Sequence, residues 1–471
     1  MKRQLYILLF LLIASASQAQ EEWSLLRCIE HAIENNLTIK QSELNVDFAK
    51  IDESQAKHNR YPSLNFGANL NSNFGRSTDP ITNTNITQNF ISNNLSLNSN
   101  VTIFNGFRIS NTIKRSAVDT RANEYDLEQS KRDISLTVAN NYLNVLLADE
   151  NLRIAQSQLA TSEEQLVRTQ RLIDAGVRPA NESLDILAQI ANNEQLVIGA
   201  ENSKEIGLLG LKQLLRLDPD VSMILTAPSN VKVESDPDVL TFNEVYNSAI
   251  QAQYSIKAAD LRVESAHLNE KISKAGLLPS LSFGASLGSN YSNKGLRAVD
   301  TFSFIFDEDV FFDGAPGVLG TNERGFTTED NPYLSQLDDN LSYGFGISLN
   351  YPIYNNYVNK LGVERAKLNI LNAQNLSEQA RDGLKTTVQQ ALANAKASKR
   401  KLNASEKSVD AQRASFNNAE KKFNAGTINT FEYVNIKNAL LEAEVNAVLS
   451  KYEFLFDMKV LDFYMGKPIN L

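Results

Sequence analysis

Cysteine is almost missing: Cys28 is the only one in 471 residues. That excludes a disulfide framework and a thiolate zinc site. Histidine is scarce too, with His31, His58 and His267 alone, which leaves little material for imidazole catalysis or metal binding. No P-loop, HExxH or GxGxxG pattern occurs. Positive charge is not in excess, since 46 Lys and Arg stand against 55 Asp and Glu for a net charge of −9, so nucleic acid is not expected as a partner. Beyond the first twenty residues no run approaches 18 consecutive apolar residues. Any passage through a membrane must therefore be made by strands. One enzyme-like string, Gly284-Ala285-Ser286-Leu287-Gly288, imitates the elbow of a serine hydrolase. That elbow needs a strand–turn–helix and a downstream histidine, yet all three histidines precede it. The composition points away from an enzyme, and no cofactor is expected.

Residues 1–19 read as a secretory signal: Lys2 and Arg3, an apolar run from Leu5 to Ile13, then small residues before a cleavage site after Ala19. Arg27 ahead of Cys28 is wrong for lipid attachment. The remainder is a duplication. PSLNFGANL at 62–70 matches PSLSFGASL at 279–287, an offset of 217. Further on the offset becomes 250: IFNGF at 103–107 meets IYNNY at 353–357, and AGVRPANE at 175–182 meets AGTINTFE at 425–432. The expected organisation is a first repeat over 20–218, a linker over 219–240, and a second repeat over 241–471. A long inter-strand loop, 289–340, accounts for the change of offset. That loop holds ten acidic residues between Asp300 and Asp339, expected as solvated surface; a calcium site is the alternative.

Each repeat reads as helix, strand, loop, strand, very long helix, turn, helix. Leu64, Phe66, Ala68 and Leu70 alternate with Ser63, Asn65, Gly67 and Asn69, and Leu281 and Phe283 repeat the pattern. Leu95, Leu97, Val101 and Ile103 continue it, as does the run from Leu341 through Phe345 and Ile347 to Ile353. One apolar and one Asn/Ser/Gly face suits a membrane strand with lipid on one side and water on the other. Leu64, Phe66, Leu281, Phe283, Phe345 and Ile347 are the candidate lipid-facing residues. The alternative is an edge strand of a soluble sandwich. Four strands cannot close a barrel, and lipid forbids an open edge, so membrane strands imply a homo-oligomer. The helices show a strict heptad, Val145, Leu152, Leu159, Leu166, Ile173, and about 70 uninterrupted residues make a rod of roughly 105 Å.

The signal, the paired PSLxFGA strands, the IFNG/IYNN strand-to-helix junctions and the AGV/AGT turns together resemble the TolC-type outer-membrane efflux proteins, over essentially the whole mature chain. The resemblance implies a trimer in the outer membrane of a diderm bacterium. Its twelve-stranded barrel would continue into a twelve-helix coiled-coil tunnel in the periplasm. It implies a passive exit duct, with a periplasmic adaptor and an inner-membrane pump or export ATPase as partners and small molecules as cargo. It also implies adaptor docking through Ala175, Gly176, Val177, Ala425, Gly426 and Thr427. An acidic constriction would use Glu182 and Glu432, with Asp185 in a second acidic seat that Asn435 fills in the later repeat. The family's basic latch seat, Ile428 in the later repeat, is held by Arg178 in the earlier one. For Glu182 and Glu432 the alternative is a first-turn acid that complements the helix dipole. Competing functions are the exit duct of a type I protein-secretion system and a soluble periplasmic coiled-coil adaptor.

Overall fold

A computed structural model describes residues 21–78, 83–87, 89–226, 236–312 and 315–467, apart from the side chains of 301–326 and a few isolated positions. The expected signal, the middle of the linker and Asp313 lie outside the described residues. In chain order the elements are β1 (Glu21–Trp23), α1 (Leu25–Asn35), α2 (Leu37–His58), β2 (Ser63–Asn73), β3 (Ser77–Thr78), β4 (Asn85–Ile86), β5 (Phe90–Asn105), α3 (Arg108–Asp174), α4 (Glu182–Leu215) and β6 (Met223–Leu225). There follow α5 (Phe242–Ala252), α6 (Tyr254–Ala275), β7 (Ser280–Ser292), β8 (Leu296–Phe312), β9 (Ala315–Asp330), α7 (Tyr333–Asp339), β10 (Ser342–Asn350), α8 (Val358–Asn424) and α9 (Thr430–Tyr464). They form two compact units, one from the described parts of 1–51, 117–266 and 369–471, the other from 52–116 and 267–368.

The first unit is helical and holds two cores that answer each other at the offsets found in the sequence. Cys28, Ala32, Val138, Tyr142 and Leu211 are buried in one; Val245, Ala249, Val388, Leu392 and Leu461 fill the corresponding seats of the other. Cys28 is thus a core position, and burial pushes its thiol up to about 12. Where the second core has Leu392, the first has Tyr142. Its hydroxyl lies 2.9 Å from the Trp23 carbonyl and 2.8 Å from that of Thr226, beside the parallel β1/β6 ribbon. Thr226 N already donates to the Trp23 carbonyl (3.1 Å), so the hydroxyl supplies the Thr226 carbonyl beyond the end of β6 with a donor.

The single helix expected ahead of each strand pair is in fact two. α1 stops at Asn36 and α5 at Gln253, without help from proline or glycine. The Asn36 amide donates to Leu214 O (3.3 Å) at the end of α4, and the Gln253 amide to Phe463 O (3.5 Å) at the end of α9. Each break therefore abuts the end of a returning helix and donates to a carbonyl of its last turn; Phe463 O also accepts from Gly466 N (3.0 Å) and Arg132 Nη2 (2.6 Å). α3 and α8 are 67 residues each, about 100 Å long at 1.5 Å per residue.

The second unit carries an antiparallel sheet of order β10-β7-β5-β2, two strands from each half of the chain. Its register aligns Phe66 with Leu97, Leu97 with Leu287, and Leu287 with Tyr343. Residues directly opposite share a face. All six candidate lipid-facing residues therefore lie on one face, and Asn, Ser, Gly and Thr, with Phe90 at the start of β5, occupy the other. A β-bulge between Thr102 and Phe104 breaks the alternation, so that Phe104 and not Ile103 stands opposite Leu281. β10 is shorter than the Leu341–Ile353 alternation suggested, and every residue of it is exposed.

The acidic insertion is no open loop. It folds as the β8/β9 hairpin and the short α7. Gln336 of α7 is buried against the end of β7, where its amide accepts from Ser292 N (3.0 Å) and donates to Ser292 O (2.9 Å), as a strand neighbour would. No group of metal-ligating side chains occurs among the described residues.

Candidate functional site

The candidate docking and gate residues all lie at the two turns, between α3 and α4 and between α8 and α9. Both turns close in the same way. Val177 N donates to Leu172 O (2.9 Å) and Gly176 N to Ile173 O (2.8 Å); Thr427 N donates to Lys422 O (2.9 Å) and Gly426 N to Phe423 O (3.0 Å). These are Schellman turns, which require a left-handed residue, supplied by Gly176 at φ +72° and Gly426 at φ +74°. Nothing lies within 4 Å of where a Cβ would sit on either glycine, so the backbone alone dictates the residue. Ala175, Gly176, Val177, Ala425, Gly426 and Thr427 are all exposed. Each turn ends in a small, uncharged knob.

The acids beyond the turns differ. Glu432 is exposed, and its amide donates to the Asn429 side chain (2.8 Å) that caps α9. Asp185 is also exposed. Glu182 is not free: Arg178 Nη1 donates to both of its carboxylate oxygens at 3.2 Å, and the two side chains are only 12% and 13% exposed. The same guanidinium donates from Nη2 to Phe423 O (3.1 Å) and sits 4.6 Å from the Phe423 ring, which stacks on Tyr433. Arg178 thus ties the first turn to the last turn of α8. Arginine suits this because its planar fork can satisfy a carboxylate, a carbonyl and a ring face at once. Ile428, two past the later glycine, can do none of these.

Deeper in the helices is a polar network that the heptad did not foretell. Asn438 donates to Gln189 (3.2 Å), Gln189 to Asn193 (2.9 Å), and Asn193 to Ser162 Oγ (2.8 Å). Lys437 Nζ reaches the same Ser162 Oγ at 3.3 Å. Lys437 is 6% exposed, and burial lowers its ammonium to about 8. Ser162 and Thr169, seven apart on α3, are buried where apolar heptad residues would be expected. The clue in the sequence is that Lys437 stands one turn after Tyr433 in the same buried stripe. Among the described residues of the turns no group of side chains could hold a metal ion.

Three comparisons bear on this arrangement. The sequence profile of the outer membrane efflux protein family matches residues 28–215 and 245–467. The outer membrane protein TolC of Escherichia coli (strain K12) is 23% identical over 471 residues, covering 99% of this chain and 87% of TolC. The CmeC outer membrane channel of Campylobacter jejuni is similar in structure, with a TM-score of 0.75 at 15% identity over 94% of this chain and 85% of CmeC. The open-state MtrE outer membrane channel of Neisseria gonorrhoeae gives 0.70 at 18% identity, covering 95% of this chain and 89% of MtrE.

Proposed function

The chain belongs to the outer membrane efflux protein family, and from that premise we propose that three copies close their sheets into one twelve-stranded barrel. The observation that carries this is the four-stranded sheet itself. Among the described residues it has two unpaired edges, β2 and β10, a largely apolar face interrupted by Ser72, Asn93, Ser99 and Ser289, and an uncharged polar face. An open edge is not tolerated in lipid, and joining β10 of one copy to β2 of the next removes both. Leu64, Phe66, Leu281, Phe283, Phe345 and Ile347 then face lipid, and the Asn/Ser/Gly face lines water. The leader at 1–19 directs export, and the repeats at 20–218 and 241–471, joined by 219–240, each supply one helical hairpin to a periplasmic tunnel.

The duct is passive and has no catalytic step. Two uncharged knobs per chain, at Ala175–Val177 and Ala425–Thr427, meet a periplasmic adaptor that connects the duct to an inner-membrane pump or export ATPase. Glu432 and Asp185 supply the negative charge of the mouth. Arg178 holds Glu182 and Phe423 together and keeps the turns closed. Small molecules are the cargo.

A cysteine scan tests the closure, since the native Cys28 is buried and does not interfere. One cysteine is fixed at Ser348 on β10 and a second is moved along β2. Oxidation should give crosslinked dimers and trimers at alternate β2 positions, all lost on heating with reductant. A stable monomer with full strand content, crosslinked at no position, would overturn the reading.

A further inference from the structure

The four links that join strands to helices in the second unit share one chemistry. Residues 105–116 contain three cations, Arg108, Lys114 and Arg115, and no acid. Residues 351–368 contain Lys360, Arg365 and Lys367 against Glu364 alone. Lys57 and Arg60 stand at the end of α2, and Lys271 and Lys274 at the end of α6. The chain as a whole is at −9, so this excess is local. Lys57 is occupied by Glu53 (2.5 Å), Lys274 by Glu270 (2.8 Å) and Lys367 by Glu364 (2.9 Å), and Arg115 donates to Asn269 (2.9 Å). Arg60, Arg108, Lys114, Lys271, Lys360 and Arg365 are exposed and have no carboxylate partner among the described residues.

Exposed aromatic rings stand in the same links. Tyr61, Phe107, Tyr354 and Tyr357 are 56%, 65%, 71% and 56% exposed, which water does not reward. The Arg60 guanidinium lies 5.2 Å from the Tyr61 ring, and Lys360 Nζ lies 5.5 Å from the Tyr357 ring. A ring beside a cation, at the end of an apolar strand face, matches the boundary of a bilayer. There the ring sits among headgroups and the cation meets phosphate. At the other end of β7 and β10 the insertion carries Asp330, Asp338 and Asp339 beside the Arg297–Glu329 pair (3.5 Å), so the charge is polarised along the strands.

We propose that the four links form a basic aromatic collar that binds the anionic phospholipid headgroups of the leaflet at the helix end of the barrel. The inference rests on the reading that the apolar sheet face meets lipid, and its test separates the two. Flotation of the full-length protein is compared between phosphatidylcholine vesicles and the same vesicles containing phosphatidylglycerol. The wild type should enter both and favour the anionic ones, with the preference falling as sodium chloride is raised. The triple variant Arg60→Gln, Lys271→Gln and Lys360→Gln should enter phosphatidylcholine as before and lose the preference, by about fivefold for each cation removed. The charge-preserving variant Arg60→Lys, Lys271→Arg and Lys360→Arg should retain it, which separates lost charge from lost folding. Entry into both vesicle types without preference overturns the collar alone. Failure of the wild type to enter either overturns the lipid-facing sheet and the collar together.

Discussion

At the scale of the residue, Lys437 and Arg178 are two cations with opposite roles. Lys437 has no carboxylate beside it among the described residues, and burial lowers its pKa from an ordinary 10.5 to about 8. Between those values the unfolded chain binds more protons than the folded one, so stability rises with pH from about 8 to about 10.5. Below that window the charged form carries a constant cost. Lys437→Met should stabilise the solubilised protein at pH 7.5 by on the order of 2 kcal/mol, read as a higher thermal midpoint, and should flatten the rise toward pH 10. Circular dichroism melts at both pH values check this; an unchanged pH slope would show that Lys437 is not the titrating group. Arg178→Gln removes an ion pair, a carbonyl bond and a ring contact together. It should raise single-channel conductance in planar bilayers, whereas Glu182→Gln, which leaves the Phe423 contacts in place, should raise it less. Equal conductance in Arg178→Gln and wild type would remove Arg178 from the gate. The sequence revealed the seat, since Arg178 and Ile428 differ at matching positions of the two repeats. It could not reveal that Glu182 is engaged and Glu432 exposed, because Phe423 meets Arg178 only through packing across 245 positions.

At the scale of the element, periodicity made the four sheet strands and the two 67-residue helices legible. What it missed had weak local signals. The breaks at Asn36 and Gln253 carry neither proline nor glycine and are set by contacts with α4 and α9. The insertion's acids suggested solvated loop, although backbone pairing between β8 and β9 organises it. The strand-to-helix corners were visible as IFNGF and IYNNY, but not their geometry: both pass through consecutive left-handed residues, Gly106-Phe107 and Asn356-Tyr357. A Cβ on Gly106 would sit 2.8 Å from Ala275 O and 2.9 Å from Leu278 Cβ. Gly106→Ala should therefore cost about 2 kcal/mol or more and reduce the fraction of heat-modifiable protein after refolding. Asn356→Gly relaxes a left-handed non-glycine residue and should leave that fraction unchanged or higher. The reverse order of the two yields would show that the corners do not limit folding.

At the scale of the whole molecule, the proposed trimer would put the same apolar face of every sheet outward. Phe283→Arg then places a charge against lipid and should cost about 2–4 kcal/mol near the midplane. Ser282→Arg, its neighbour on the opposite face, should assemble normally and alter only conductance. Trimer yield on unheated gels reads the first effect and bilayer recording the second; equal tolerance of both would mean that the two faces had been exchanged. The two hairpins of one chain are alike in their exposed knobs, but only the first carries Arg178. Six knobs at the mouth of a trimer would therefore alternate between two kinds, and an adaptor would meet two distinct seats repeated three times.

The unpaired edges of β2 and β10 have a further cost in time. Most exposed edge strands are guarded by lysine, proline or a charge turned inward. Neither β2 nor β10 contains any of these. Each edge is built to be covered, and until it is, it remains a template for any passing strand. Closure needs three chains, so its rate falls steeply when chains are scarce at the membrane. A newly exported chain therefore races between correct partners and aggregation. A carrier that hid the edges in transit would relieve this race, and overproduction should fill the periplasm with insoluble chain.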